Sequence, residues 1–344
     1  YTTRPNPRVG CVLVANNQLV AEGWHERAGG PHAEVVALNK AGDAARGATA
    51  YVSLEPCCHH GRTAPCSQAL IDAGVARVVM AMQDPNPQVA GQGRAQLEAA
   101  GIEVGSGVLQ SEAEELNRGF SKRMRHGRPW VSVKLAMTLD GRTAAADGSS
   151  QWITGSPARE DVHRLRARAG AVLTGIGTVL ADNPRLDVRL EQAADWPPVQ
   201  RFVLDSQLRM PADAAMLQLP GRTVILAGQQ ARGAEVLQAA GAEVQFMPLN
   251  EAGQVELEAV LDWLAGQQVN ELLVEAGAEL AGGFIQAGLA DELVIYMAPS
   301  LLGSAGRGLL TLPALQSIEQ QMHLDILDMR KLGEDWRITA TIKK

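Results

Sequence analysis

The sequence predicts a mixed α/β protein of two domains, each a β-sheet with helices on its faces. Three observations predict it. Short runs rich in Val, Ile and Leu alternate with segments of helical periodicity along all 344 residues, as expected of strands joined by covering helices. That length exceeds what one core usually serves. A basic, Gly/Pro-terminated stretch, Lys122 to Pro129, interrupts the alternation and places domains at 1–126 and 127–344. The same stretch offers cations to a phosphate, although a solvated helix end explains it as well.

In order, Thr2-Thr3-Arg4-Pro5-Asn6-Pro7 reads as rigid and extended, because proline fixes φ and restricts the residue before it. Asn6 could there read a base edge, or be a plain turn residue. Val9 to Ala15 and Gln18 to Trp24 are strands around an Asn16-Asn17 turn, and His25 follows the second. Ala33 to Ala44 has helical periodicity, which puts His32 and Glu34 at a helix N-terminus. The strand Thr49 to Leu54 delivers Glu55-Pro56-Cys57. A helix from Ser67 to Ala73 and a strand from Arg77 to Met82 lead to Asp84-Pro85-Asn86-Pro87. Arg94 to Ala100 is a helix, Ile102 to Val104 a strand and Glu112 to Met124 one helix.

The second half opens with a strand, Trp130 to Leu135, and a hairpin-type turn at Asp140-Gly141. Ser156 as N-cap and Pro157 at the first helical position open a helix through Arg168. Further strands are Ala171 to Thr174, Arg201 to Leu204, Thr223 to Ala227, Leu272 to Glu275, Leu293 to Met297, and segments around Ile326 and Ile338. Two glycine turns follow buried strands: Gly175-Ile176-Gly177-Thr178, and Ala276 to Gly283, which opens a helix. Such turns bring backbone N–H groups and a helix dipole to a phosphate. Neither is Gly-x-Gly-x-x-Gly, so the dinucleotide fingerprint is absent.

The chemistry concentrates between Pro31 and Cys66. His32, Cys57 and Cys66 form a soft three-ligand set suited to Zn²⁺, with a fourth tetrahedral position left for water. Glu34 is near enough to take a proton from that water and pass it to a leaving amine. His-x-Glu followed by Pro-Cys resembles the signature of zinc nucleobase deaminases, which closes with Cys-x-x-Cys. Here eight residues, Cys58 to Pro65, separate the two cysteines. They read as a loop added to hold substrate. A zinc knuckle or ordinary core cysteines are the bland alternatives, and Cys58, His59 and His60 are rival ligands.

Net charge is −7, from 31 basic and 38 acidic residues, which argues against a surface that wraps nucleic acid. Four cysteines make no disulfide framework at this length, and a reducing cytoplasm fits. No apolar stretch approaches the length of a membrane span and no signal peptide is evident. The chain begins at Tyr1 without Met, so a processed or truncated N-terminus lacking a helix is expected.

These motifs together resemble the bifunctional riboflavin-biosynthesis deaminase/reductase family over nearly the whole chain. The carriers are Pro5-Asn6-Pro7, Pro31-His32-Ala33-Glu34, Glu55-Pro56-Cys57 through Cys66, and Asp84-Pro85-Asn86-Pro87. In the second half they are Leu139-Asp140-Gly141-Arg142, Gln151-Trp152-Ile153-Thr154, Leu180-Ala181-Asp182-Asn183-Pro184 and Val274-Glu275-Ala276-Gly277. The resemblance implies a cytidine-deaminase-like three-layer α/β/α domain followed by a dihydrofolate-reductase-like α/β domain. It implies hydrolytic deamination of a diaminopyrimidinone ribosylamino 5′-phosphate, then reduction of the ribosyl chain to ribityl by NADPH. His32, Cys57 and Cys66 match the family's zinc ligands and Glu34 its proton shuttle. Asn6, His25, Arg62, Asp84 and Asn86 match its pyrimidine and phosphate site. Ala136, Trp152, Thr178, Asp182, Ser206 and Gly277, Ala278, Glu279, Leu280, Ala281, Gly282 and Gly283 match its NADPH site. Ser150, Arg166, Leu186, Arg189 and Glu275 match its reductase substrate site. A cytoplasmic homo-oligomer acting on a small phosphorylated pyrimidine, with neither nucleic acid nor membrane as partner, is expected.

Arg166 and Arg189 suit a sugar phosphate by residue type, or are surface residues. Asp140 and Glu275 could handle protons, with Asp140 equally a turn residue, and the reductase proton donor is left unassigned. Ser206 with Arg209 is a plausible 2′-phosphate site. Two other classes stay open: a structural zinc domain fused to a nucleotide sensor, and a nucleic-acid base deaminase with an accessory domain.

Overall fold

The computed structural model describes residues 1–58 and 65–343. The chain divides into two compact units, Thr2–Arg128 and Pro129–Lys344. In the first, a five-stranded sheet has the order β2-β1-β3-β4-β5. Its strands are β1 (Gly10–Ala15), β2 (Gln18–Trp24), β3 (Thr49–Val52), β4 (Arg77–Met80) and β5 (Glu103–Ser106). The helices are α1 (Ala33–Ala41), α2 (Cys66–Asp72), α3 (Gln92–Ala99), α4 (Gln110–Leu116) and α5 (Arg118–His126).

β1 and β2 form a hairpin whose Asn16 and Asn17 both have positive φ, which Asn tolerates and a primed turn requires. β1 also pairs antiparallel with β3, and β3, β4 and β5 run parallel. β2 therefore runs the same way as β3 and β4, and the C-terminal ends of all three share one sheet edge with the start of β1. α1 lies directly on β2, because a Cβ at Gly23 would stand 2.5 Å from the Ala33 carbonyl oxygen. Leu13, Val52, Leu70, Val78 and Leu97 fill the core between sheet and helices. Each buried side chain of this size contributes about 1.5–3 kcal/mol.

Two expectations fail here. Residues 2–7 are not extended: the Asn6 N–H donates to the Thr3 carbonyl at 2.9 Å, and the Arg4–Pro5 bond is cis, so the chain turns. The helix expected over Glu112 to Met124 is two helices, broken at Asn117. Asn117 is buried, its Oδ1 accepts the Arg8 N–H at 2.7 Å and its Nδ2 donates to the Arg8 carbonyl at 2.9 Å. Its amide serves that distant backbone, as Asn competes for backbone groups generally.

The second unit carries a nine-stranded sheet, β11-β10-β9-β8-β12-β6-β13-β16-β15, and a small β14-β7 ladder. Its elements are β6 (Trp130–Thr138), β7 (Arg142–Ala144), α6 (Ser156–Ala169), β8 (Ala171–Gly175), α7 (Ile176–Asp182), β9 (Gln200–Leu204), β10 (Thr223–Gly228), α8 (Ala234–Ala239), β11 (Glu243–Met247), α9 (Leu257–Gly266), β12 (Glu271–Glu275), α10 (Ala278–Gln286), β13 (Glu292–Ala298), β14 (Arg307–Gly308), β15 (Leu324–Leu332) and β16 (Asp335–Ile342). From β11 to β13 every neighbouring pair is parallel, and β16 and β15 add antiparallel strands at one side. Central strands β8, β12 and β6 are largely buried and rich in Val and Leu, as strands covered on both faces are. Leu173, Phe202, Leu226, Leu272, Val274 and Phe284 are buried in one cluster of this core. On the other face, Val172, Val203, Ile225 and Leu273 pack with Met216.

The Asp140-Gly141 turn forms, but β7 pairs with β14 rather than folding back on β6. Gly155 is the N-cap of α6, with Ser156 and Pro157 inside its first turn. The Gly155 N–H is held by Asp335 Oδ2 at 2.7 Å, which sets the start of the helix one residue earlier than the Ser-Pro pair suggests. Both glycine turns open helices, α7 and α10, and not the second alone.

Asn117→Ala is expected to leave the Arg8 backbone groups without their partner and to cost about 1–3 kcal/mol. A lowered first transition in a thermal unfolding scan that also follows the second unit separately is the measurement.

Candidate active sites

The shared edge of the first sheet gathers the predicted site. β2 ends at Trp24 and hands over to His25; α1 starts after His32; β3 leads to Cys57; Cys66 is the first residue of α2; β4 leads to Asp84. The ligand atoms of His32, Cys57 and Cys66 all lie within 4.8 Å of one another. His32 Nδ1 is 3.1 Å from Cys66 Sγ and 3.5 Å from Cys57 Sγ. One nitrogen and two sulfurs at this spacing fit Zn²⁺, which takes such ligands tetrahedrally at about 2.0–2.3 Å.

Hydrogen bonding from the Cys66 thiol, helped by His32, pulls Cys57 down to about 4, while the hydrogen bond to Cys57 and burial push Cys66 up. The pair holds negative charge where a cation would sit. Glu34 is buried beneath it, and burial raises its carboxyl above the ordinary range. A carboxyl placed beside the three ligands is within reach to exchange a proton there.

Asn6 and His25 lie together: Asn6 Nδ2 is 3.1 Å from His25 Nε2, and His25 Nδ1 is 2.9 Å from the Pro31 carbonyl. The His25 and His32 rings meet edge to face at 5.4 Å. The Asp84 carboxylate accepts the Asn86 N–H at 2.8 Å, so these two share one turn. Arg62, His59 and His60 lie outside the described residues.

In the second unit the residues matched to ligand sites again lie at the C-terminal ends of parallel strands. β8 and β12 are neighbours, so the starts of α7 and α10 lie side by side. A Cβ at Gly177 or Gly277 would meet nothing within 4 Å. Two adjacent helix starts with open glycine backbone fit the diphosphate of a dinucleotide. Thr178 is on α7, Asp182 ends it, Ala278 to Gly283 form the first turns of α10, and Ala136 is on β6. Trp152 is exposed, with the Arg159 guanidinium 4.7 Å from its ring centroid. The Ser206 carbonyl, just past β9, accepts the Gly228 N–H at 3.1 Å, and Ser150 is half-buried.

Arg166 on α6 holds Glu275 at the end of β12 with two parallel bonds, Nε–Oε1 at 2.5 Å and Nη2–Oε2 at 2.9 Å. Its third nitrogen donates to the Asp187 carbonyl at 2.9 Å. The guanidinium offered to phosphate on residue type is thus the partner of Glu275. Burial would raise Glu275, but Arg166, with Lys134 and His163 behind it, holds the carboxylate below its ordinary value. Glu275 is therefore an anion at neutral pH.

Arg189 is half exposed and bound to Asp187 at 2.6 Å, and Arg185 binds the other oxygen of the same carboxylate at 3.0 Å. Leu186 between them is buried with φ 48°. That conformation costs a non-glycine about 1–2 kcal/mol and is retained chiefly at functional sites. Asp140 accepts from Thr138, Leu302 and Gly303, which keeps its carboxyl low and makes it the turn residue.

The sequence reading missed Lys134, which pairs in register with Glu275 across β6 and β12. Its amine lies 6.0 Å from the Tyr296 ring centroid, and burial lowers its pKa. A lone lysine in a buried strand was the available signal. Asp187 was missed as well, since only its place between two arginines marked it.

A zinc-binding unit of cytidine-deaminase type, followed by a doubly wound unit with a dinucleotide cradle, defines a two-site enzyme. The family model for the cytidine and deoxycytidylate deaminase zinc-binding region matches residues 1–82, and that for the RibD C-terminal domain matches residues 129–338. The riboflavin biosynthesis protein RibD of Escherichia coli K12 is 51% identical over 97% of this chain and 93% of that protein. The RibD of Haemophilus influenzae is 47% identical over 100% and 93%. A solved structure of Acinetobacter baumannii RibD superposes with a TM-score of 0.93 at 44% identity, covering 100% of this chain and 94% of that one. A structure from Thermotoga maritima, described as a diaminohydroxyphosphoribosylaminopyrimidine deaminase/5-amino-6-(5-phosphoribosylamino)uracil reductase, gives 0.87 at 30% identity, covering 99% and 94%. The chain belongs to the RibD family of riboflavin-biosynthesis proteins, and its second unit has that family's dihydrofolate-reductase-like fold.

Removing Arg166 alone would strand a buried carboxylate. Arg166→Met is expected to destabilise the second unit by about 3–5 kcal/mol, and Arg166→Met with Glu275→Leu to recover most of that. Because folding lowers the Glu275 pKa, its contribution is complete above the unfolded value of roughly 4.3 and lost as pH falls through the folded one. Calorimetry from pH 7 to pH 3 should show the wild type losing more stability on acidification than the double variant.

Proposed function

We propose that this chain is a bifunctional enzyme of riboflavin biosynthesis. It removes the 2-amino group of 2,5-diamino-6-ribosylamino-4(3H)-pyrimidinone 5′-phosphate by zinc-dependent hydrolysis. It then reduces the ribosyl chain with NADPH to give 5-amino-6-ribitylaminouracil 5′-phosphate. The observation that carries the reading is the His32, Cys57 and Cys66 cluster with Glu34 buried beneath it, in a chain that matches the family along its length.

In the first unit His32, Cys57 and Cys66 hold the metal. When bound, zinc supplies a water acidified to a pKa of roughly 7. Glu34 takes the proton of the attacking water and returns it to the departing amine, which leaves as ammonia. Asn6, His25, Asp84 and Asn86 hold the pyrimidine, and Arg62 the phosphate.

In the second unit Gly277 to Gly283, Thr178, Asp182, Ser206, Ala136 and Trp152 hold NADPH, which supplies hydride to C1′ of the sugar. Ser150, Leu186 and Arg189 hold the substrate, with Arg185 beside Arg189 for its phosphate. Glu275, kept ionised by Arg166, favours positive charge on the nitrogen at C1′ as the ring opens. Lys134 donates the proton to the ring oxygen as the C1′–O4′ bond breaks. The acidic balance of the whole chain favours this small phosphorylated substrate over an oligonucleotide.

No helix among the described residues is long and apolar enough to cross a membrane. A cytoplasmic location is proposed from the biosynthetic role of the family. The enzyme works as a homo-oligomer. The support is β15, an outer strand of the nine-stranded sheet whose Ile326, Leu327 and Met329 are exposed, as an edge covered by a second copy would be.

Glu34→Gln is expected to abolish ammonia release from the diaminopyrimidine substrate while zinc content and NADPH oxidation with the deaminated product persist. Ammonia release retained in this variant would remove Glu34 from the mechanism. Ile326→Asp with Met329→Asp should lower the mass seen by sedimentation to that of one chain, and an unchanged mass would exclude this edge as the interface.

A further inference from the structure

Glu55 belongs to the Glu-Pro-Cys segment, yet neither metal binding nor proton transfer uses it. Only 3% of its surface is exposed. Its Oε2 accepts the backbone N–H of Asp84 at 3.2 Å and of Gly91 at 3.0 Å, and its Oε1 accepts that of Arg94 at 3.1 Å. Gly91 is the N-cap of α3 and Arg94 its third residue, so the carboxylate sits on helical donors that lack partners in the helix. The same carboxylate thus grips both ends of the 84–94 segment.

A second contact fixes the other side of the joint. A Cβ at Gly93 would stand 2.0 Å from the Pro56 carbonyl oxygen, so the start of α3 packs on the backbone one residue before Cys57. Ser67 on α2 reinforces it, its hydroxyl lying 3.0 Å from the Cys57 carbonyl oxygen and 2.6 Å from the side-chain amide of Gln96 on α3. The Glu55 N–H itself donates to the Met82 carbonyl at 3.0 Å. Two residues beyond Glu55 is a metal ligand, and the first residue that its side chain holds is Asp84.

We infer that Glu55 is a positioning residue of the deaminase site, setting the distance and angle between the zinc ligand Cys57 and the Asp84–Asn86 turn that holds the pyrimidine. This rests on the deaminase reading of the first unit. The geometry explains why a glutamate is needed. Three donors converge on two oxygens, and a carboxylate has acceptors on both, whereas an amide of the same shape must aim its NH₂ at one of the N–H groups. Freed from Oε2, the Asp84–Gly91 segment loses its register against Cys57. The metal triad loses nothing, since Glu55 touches none of its three ligands by a side-chain bond. The defect therefore falls on substrate binding more than on the chemical step.

The test uses the full chain loaded with zinc. Steady-state ammonia release from the diaminopyrimidine substrate is compared for wild type, Glu55→Gln and Glu55→Asp, with zinc content and NADPH oxidation on the deaminated product followed in parallel. Glu55→Gln is expected to raise KM by about ten- to hundredfold, as loss of a hydrogen bond to a charged group does. kcat should stay within about threefold, with one zinc per chain and an unchanged reductase. If Glu55→Gln loses its zinc, Glu55→Asp decides: a raised KM with zinc retained supports the inference, and zinc lost there too overturns it. A wild type that releases ammonia beside a Glu55→Gln variant of unaltered KM overturns the role of Glu55 alone. A wild type that releases none overturns the deaminase reading with it.

Discussion

Parallel pairing of neighbouring strands is the constraint from which both sites follow. Parallel strands send all their C-terminal ends to one sheet edge, and each crossover helix starts near that edge. In the first unit this collects Cys57, Cys66, Asp84 and, through the matching direction of β2, His25 and His32. In the second it sets the starts of α7 and α10 beside Glu275 and the end of β6. Residues far apart in sequence become neighbours without any long loop reaching for them. Helix starts bring unsatisfied N–H groups to the same place, so both edges favour anionic groups.

The two sites use charge in opposite ways. The first collects a low-pKa thiol, a second thiol and a buried carboxyl around one point, an arrangement that calls for a cation. The second sets one buried carboxylate against Arg166 and Lys134, with Arg185 and Arg189 clasping Asp187 nearby. Its excess of cations suits a phosphorylated substrate, while Glu275 gives the field a local negative centre. Burial keeps the Arg166–Glu275 pair from the screening that reduces exposed ion pairs to little.

Most of the strands and the zinc triad were legible in the sequence, because their signals are local. Val-rich runs mark the parallel strands, and His32, Glu34, Cys57 and Cys66 are chemically distinctive. What escaped was non-local. Asn117 breaks a helix because Arg8 needs its amide. Gly155 caps α6 because Asp335 arrives from the far end of the chain. Arg166 looked like a phosphate ligand because its type is, and only the fold shows Glu275 opposite it. Lys134 reads as one polar residue in an apolar run until β12 is laid against β6. The Asp-Gly pair did mark a turn, but the partner of β7 lies in β14, which no local pattern announces.

The position of β6 has a consequence for the birth of the protein. It is the first strand of its unit, yet its two neighbours are β12 and β13, so Trp130 must wait for Glu271 and Ser132 for Glu292. The first unit is contiguous, its strands pair within a shorter span, and it can close while the rest is still being synthesised. The centre of the second sheet can close only after nearly the whole chain has left the ribosome. Until then a strand of buried Val and Leu side chains has both edges open, which is the slow, aggregation-exposed regime of non-local parallel pairing. Because the first unit closes ahead of the second, the segments exposed during that wait are confined to the second unit.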